Sequence, residues 1–141
     1  MDYAGTVLYV DDVPPVLDFY RRAFGFGAKF TDLDVQLPGR RPEASYQFAL
    51  LDLPDTPIHL ATHALGELLM PDYERPEGGG PSGVEIAFYT DDVPAAFERA
   101  VAAGATVVKE PTEMPWGQTA AYVRSVEGTI VGLVTRVDGS P

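Results

Sequence analysis

Apolar residues alternate with others from Thr6 to Val10, and the run ends in Asp11-Asp12-Val13-Pro14. A period of two predicts a half-buried strand. The period then changes, because Val13, Val16, Leu17, Tyr20 and Phe24 stand at i, i+3, i+4, i+7 and i+11, one apolar stripe along a helix. Paired aspartates suit the positive end of that helix and can cap its unpaired amides. The proline is tolerated in the first turn, where its missing N–H would have no partner. Gly25 closes the stripe as a C-terminal glycine should. The same order returns 80 residues later: Val84 to Tyr89 alternates, Asp91-Asp92-Val93-Pro94 follows, and Val93, Ala96, Phe97, Ala100, Val101 and Gly104 repeat the stripe.

Short strand patterns follow each helix. The first copy predicts strands over Ala28 to Leu33, Ser45 to Leu51 and Pro57 to Thr62, and the second over Thr106 to Glu110, Thr119 to Ser125 and Thr129 to Val137. Each copy is a βαβββ module, and two in tandem give an α+β domain whose sheets can face one another. The modules span 1–64 and 83–138. Between them, 65–82 reads as a linker, with Pro71, Pro76, Pro81 and Gly78-Gly79-Gly80. Leu37 to Pro42 reads as a surface loop whose Arg40 and Arg41 are solvated. By period, Phe19, Tyr20, Phe24, Phe88 and Phe97 belong to the core between helix and sheet.

Composition narrows the chemistry. The chain has 141 residues, enough for one compact domain with a core of its own. Ten basic against 21 acidic residues give a formal net charge of −11, which opposes nucleic acid as a partner. With no cysteine there is no disulfide, thiol nucleophile or Cys-ligated metal. No apolar run approaches a membrane span and the first residues lack a basic signal region, so a cytoplasmic location is expected. Gly78-Gly79-Gly80 is not followed by lysine, Gly25-Phe26-Gly27 is not a dinucleotide fingerprint, and no Gly-x-Ser-x-Gly elbow occurs.

The duplicated module, with Leu8-Tyr9-Val10-Asp11-Asp12, Phe19 to Phe26, Ala102-Ala103-Gly104-Ala105, Glu110-Pro111 and Pro115-Trp116-Gly117-Gln118, resembles the glyoxalase/bleomycin resistance protein/dioxygenase superfamily, the vicinal oxygen chelate fold. The resemblance runs from about Val7 to Val137. It implies paired modules whose mixed sheets form a cup, usually in a homodimer. In metal-dependent members, four ligands come from the first and last strands of each module. Carried over by register, seven residues before the second aspartate of each pair, the first-strand positions are Gly5 and Glu85. The last-strand positions are His59 and Gly132. Two glycines supply no donor, whereas a catalytic divalent site takes about three protein ligands. The expectation is therefore a cup without cofactor, with one divalent ion on His59 and Glu85 as the alternative.

Glycine at two ligand positions leaves room in the cup, and aromatics are available to line it. Tyr9, Tyr46, Phe48, Tyr89, Trp116 and Tyr122 are the candidate ligand contacts, with Gln118 to orient a ligand. Tyr9 and Tyr89 alternate with core positions and either face the cup or pack elsewhere. Trp116 either shuts the cup, stacks on its contents, or anchors a loop or dimer contact. Metal-free relatives sequester antibiotics such as bleomycin, and the resemblance together with the acidic charge implies a planar, cationic small molecule as partner. The competing reading is a lyase or isomerase of the glyoxalase type using His59 and Glu85. The neighbours of Glu85 are Val84, Ile86 and Ala87, so its carboxylate is expected to need a partner. A third reading confines the modules to self-association.

Overall fold

A computed structural model describes residues 1–32, 46–76 and 83–137. The elements follow the chain as β1 (Thr6–Val10), α1 (Val13–Phe24), β2 (Ala28–Thr31), β3 (Phe48–Leu51), β4 (Ile58–Thr62), α2 (His63–Leu69), β5 (Glu85–Tyr89), α3 (Val93–Ala102), β6 (Thr106–Glu113), β7 (Thr119–Arg124) and β8 (Ile130–Val134). The Leu37 to Pro42 loop, Gly78-Gly79-Gly80 and the outer ends of the Ala28–Leu33 and Ser45–Leu51 predictions lie outside the described residues.

Two compact units result. One comprises Met1–Arg21 with Gly25–Pro76, the other Arg22–Phe24 with Glu77–Pro141. The first holds a four-stranded mixed sheet of order β1-β4-β3-β2, and the second a sheet of order β5-β8-β7-β6. In each, the first strand lies parallel to the last and the remaining pairs are antiparallel. This is the twice-repeated βαβββ arrangement that the alternation predicts.

Both stripes become helices, but their starts differ. At α3 the Asp92 carboxylate accepts from the Ala95 amide at 3.0 Å, whereas Asp12 makes no capping bond to α1. Gly25 ends α1 with φ 81, where a β-carbon would be strained. The α1 stripe buries Val13, Val16, Phe19, Tyr20 and Ala23. Phe19 and Tyr20 are fully buried with their rings edge to face at 5.4 Å, while Phe24, Phe88 and Phe97 are half-buried. On the sheets, Leu8, Val10, Ala49, Leu51, Ile58 and Leu60 form one core, and Ala121, Val123, Val131 and Leu133 lie under α3 in the other. Burying each of the larger aliphatic side chains contributes about 1.5–3 kcal/mol.

The stretch 65–82, a linker by composition, begins inside a helix. Thr62 caps α2 by accepting the Leu65 amide at 3.0 Å, so the chain turns helical directly from β4. Strand β6 runs to Glu113, past the expected end at Glu110, because bulges at Val107/Lys109 and Lys109/Thr112 let Pro111 join an edge strand. No helix among the described residues is long and apolar enough to cross a membrane.

Candidate functional site

Alternation gives each sheet a second, more open face opposite its core. In the first unit the ladder pairs Val7 with His59 and His59 with Leu50, then Tyr9 with Ala61 and Ala61 with Phe48. These residues share the face away from Leu8, Leu60 and Ala49. The His59 ring lies 5.3 Å from that of Phe48, tilted by 32°. Its Nδ1 is buried and has no hydrogen-bond partner among the described residues. The ring is seated over Gly5, where a β-carbon would lie 2.7 Å from Cε1 and 2.9 Å from the Pro57 carbonyl oxygen. Gly5 also has φ +150, so only glycine fits beneath this imidazole.

At the other end of the same face, α2 and the chain after it cover Tyr9. The Tyr9 ring is 5.0 Å from Tyr73 and stacks on His63 at 6.4 Å. The Tyr73 hydroxyl and His63 Nδ1 share a hydrogen bond, and His63 Nε2 faces the Asp11 carboxylate at 3.8 Å. Burial, helped by Tyr9 and Glu67 and opposed by Arg75, raises the Tyr73 pKa. A buried Asp32 fixes the start of β3, accepting the Gln47 amide at 2.9 Å and the Phe48 amide at 3.3 Å. Tyr46 precedes these amides, and its pKa is raised by burial and by the Asp12 and Asp32 carboxylates.

In the second unit, Ala87 pairs with Gly132 and Gly132 with Tyr122, while Tyr89 pairs with Val134. A β-carbon on Gly132 would lie 2.9 Å from Glu85 Oε1, 3.3 Å from Tyr122 Cε1 and 3.4 Å from the Ala87 β-carbon. Glu85 is exposed, against the expectation that apolar neighbours would force a partner on it: β5 is an edge strand and its alternate residues Glu85, Ala87 and Tyr89 face outward. Tyr89 has the Arg136 guanidinium 4.1 Å above its ring. Trp116 is 63% exposed and its Nε1 donates to Gln118 Oε1 at 2.9 Å. The Gln118 Nε2 in turn donates to the Thr135 carbonyl at 2.8 Å. The amide of Gln118 thus orients the indole and ties the loop to the chain beyond β8.

The sequence-derived residues therefore fall into two groups. Tyr9, Tyr46, Phe48 and His59 belong to the first unit, and Glu85, Tyr89, Trp116, Gln118 and Tyr122 to the second. The ladder makes His59 the counterpart of Gly132, since each stands opposite the second residue after the first-strand position, Val7 after Gly5 and Ala87 after Glu85. Each unit thus carries one donor and one glycine, in crossed positions. Sequence reasoning passed over Asp32, Tyr73 and Arg136. Strand parity offered a signal for Arg136, which lies two residues beyond Val134 on the side of Gly132.

The four carried-over positions hold one imidazole and one carboxylate, one in each unit. That is short of the roughly three protein ligands of a catalytic divalent site. Among the described residues no group of three or more His, Asp or Glu side chains is placed to hold a metal ion. This donor set does not fit a resident metal of the family type.

A family model described as the Glyoxalase/Bleomycin resistance protein/Dioxygenase superfamily matches residues 3–132. A 4-hydroxyphenylpyruvate dioxygenase of Neurospora crassa is 37% identical over 76 residues, 51% of this chain, and the chain spans only 18% of that protein's length. Among solved structures, a glyoxalase/bleomycin resistance protein/dioxygenase family enzyme from Burkholderia phytofirmans aligns with a TM-score of 0.74 at 21% identity, covering 97% of this chain and 100% of that one. A glyoxalase-related enzyme from Fulvimarina pelagi aligns with a TM-score of 0.72 at 19% identity, covering 96% and 88%. These structural likenesses are to the fold.

Proposed function

This chain belongs to the glyoxalase/bleomycin resistance protein/dioxygenase superfamily, and from that premise we propose that it binds a small planar molecule on the open aromatic face around His59, without a resident metal ion. The observation that carries the reading is the pairing of His59 with Gly5. The imidazole is fixed over the glycine, beside Phe48, with Nδ1 buried and unpartnered among the described residues. In this reading the ligand meets the other ring nitrogen, Nε2. Phe30 adds a further ring 6.2 Å from Phe48, so the face offers aromatic surface with one polar atom set into it. Offset stacking of a planar ligand on such rings contributes about 0.5–1.5 kcal/mol per pair beyond area burial. Protection or transport by such a protein is stoichiometric, set by affinity and concentration.

The likeness to 4-hydroxyphenylpyruvate dioxygenase raises an oxygenase reading, but a facial triad takes two histidines and a carboxylate. This chain has two histidines in all, and His63 is held by Tyr73 at the far end of the face. An acid–base lyase or isomerase would instead use His59 and Glu85, and His59→Ala would then lower turnover by about 10²–10⁴-fold.

The test is a titration with 2-naphthol as planar probe, followed by the aromatic and imidazole NMR signals. Binding should shift the signals of Phe48 and His59, and Phe48→Ala should weaken it about two- to tenfold. Shifts confined to other residues, or affinity untouched by Phe48→Ala, would refute this site.

A further inference from the structure

The ladder positions of the open face in the first unit are Val7 and Tyr9 on β1, His59 and Ala61 on β4, and Phe48 and Leu50 on β3, with Phe30 of β2 paired to Leu50. Tyr9 lies under Tyr73 and His63, so His59 is the polar side chain that remains among apolar neighbours. No carboxylate, ammonium or guanidinium stands at these positions. At the sheet edge, Lys29 falls in the bulge between Ala28 and Phe30 and lines one hollow with Leu50, Asp55 and Pro57, so a charge of each sign borders the face there.

A neutral imidazole carries one proton, on Nδ1 or on Nε2, and the surroundings of the two nitrogens choose between them. Cε1 and Nδ1 are the ring atoms seated at Gly5, 2.7 and 3.0 Å from where a β-carbon would stand. Nδ1 is buried and has no hydrogen-bond partner among the described residues. The carbonyl beside it in this seat, that of Pro57, accepts the Thr6 amide at 2.9 Å. A proton on Nδ1 would be an orphaned buried donor, which folded proteins tolerate less well than an unpaired acceptor. On Nε2 the same proton can be given to water or to a ligand.

We propose that His59 is the Nε2–H tautomer and that this face takes an uncharged planar ligand with a conjugated carbonyl, such as an aryl ketone, whose oxygen accepts from Nε2–H. It deepens the small-molecule reading above and rests on it. One hydrogen bond satisfies the carbonyl while the rest of the ligand lies on apolar surface. A formal charge on the ligand would be desolvated against Val7, Leu50 and Ala61 with nothing to pair it. The cationic ligand expected from the overall charge of −11 meets no carboxylate at these ladder positions.

Two measurements test the two halves of the proposal. In isotope-labelled protein at mildly alkaline pH, long-range proton–nitrogen NMR correlation reads the tautomer with no ligand and no variant. Nε2 of His59 should resonate as a protonated nitrogen and Nδ1 as an unprotonated one, and the reverse pattern overturns the proposal. The ligand class is read with 2-acetylnaphthalene, its isostere 2-isopropenylnaphthalene, 2-naphthoate and 2-naphthylmethylammonium, each titrated into the full chain and followed at the Phe48 signals. The affinity ratio of ketone to isostere should be about two- to tenfold higher in the unsubstituted protein than in His59→Phe, the size of one net hydrogen bond. Both charged probes should bind more weakly than the ketone. The same ratio in His59→Phe, or a charged probe bound more tightly than the ketone, overturns the carbonyl ligand and leaves the planar-ligand reading standing. Failure of all four probes to move the Phe48 signals overturns both.

Discussion

The imidazole of His59 occupies the space that a side chain on Gly5 would need, with Cε1 2.7 Å from the position of the missing β-carbon. In the second unit Glu85 stands in the same relation to Gly132, at 2.9 Å. The two glycines differ in what surrounds them. Gly5 has φ +150 and a backbone oxygen 2.9 Å away, whereas the nearest atom to Gly132 is the far end of a flexible exposed side chain. Gly5→Ala should therefore destabilise the protein by about 1–3 kcal/mol and shift the His59 ring signals. Gly132→Ala should cost less than about 1 kcal/mol, moving Glu85 aside. Chemical denaturation of both variants checks the ordering, and an equal loss at the two sites would contradict it.

Asp32 is the anchor of the His59 face. Its Oδ1 accepts two amides at the start of β3, and Phe48 is one of the residues so fixed. Asp32→Ala leaves both amides without this charged acceptor and should destabilise by about 1.5–3 kcal/mol. Asp32→Asn keeps an acceptor and should lose less. The 2-naphthol affinity should also fall with Asp32→Ala at temperatures where the variant remains folded, and an unchanged affinity would contradict the anchoring role.

Two phenols predict an alkaline limit to stability. Tyr46 and Tyr73 both have pKa values raised above the ordinary 10.0, chiefly by burial. The folded protein then holds these protons more tightly than the unfolded chain, so stability falls as pH rises. Their contribution is fully present below pH 10.0 and is lost as pH rises through the higher folded values. Denaturation midpoints measured from pH 9 to 11 should decline, and the double variant Tyr46→Phe/Tyr73→Phe should flatten that slope whatever its stability at neutral pH. An unchanged slope would mean that these phenols titrate alike in both states.

Much of the fold is legible in the alternation itself. The repeat of Asp-Asp-Val-Pro fixes both helix starts, and parity correctly separates Leu8 and Val10 from Tyr9, and Leu60 from His59. Side-chain pairing is less legible, because it depends on which strands become neighbours. Nothing local to Arg136 shows that Tyr89 will lie beneath it, since the two meet only once β5 pairs with β8. Likewise α2 is hidden by the composition of the stretch it enters, and with it Tyr73, whose contact with Tyr9 is set by the helix that Thr62 caps. The apolar sequence neighbours of Glu85 predict a carboxylate in need of a partner, but Ile86 points to the other face of β5, and Glu85 shares the exposed face with Ala87 and Tyr89.

The proposed function includes a face without a resident metal ion, since the four carried-over positions hold one imidazole and one carboxylate. The direct measurement is elemental mass spectrometry of untagged protein purified without chelator, then exposed to nickel, zinc, manganese or iron(II) and freed of unbound ion. A metal content near zero per chain is expected before and after exposure. A content near one for any of these ions, lost in His59→Ala and in Glu85→Gln, would contradict it.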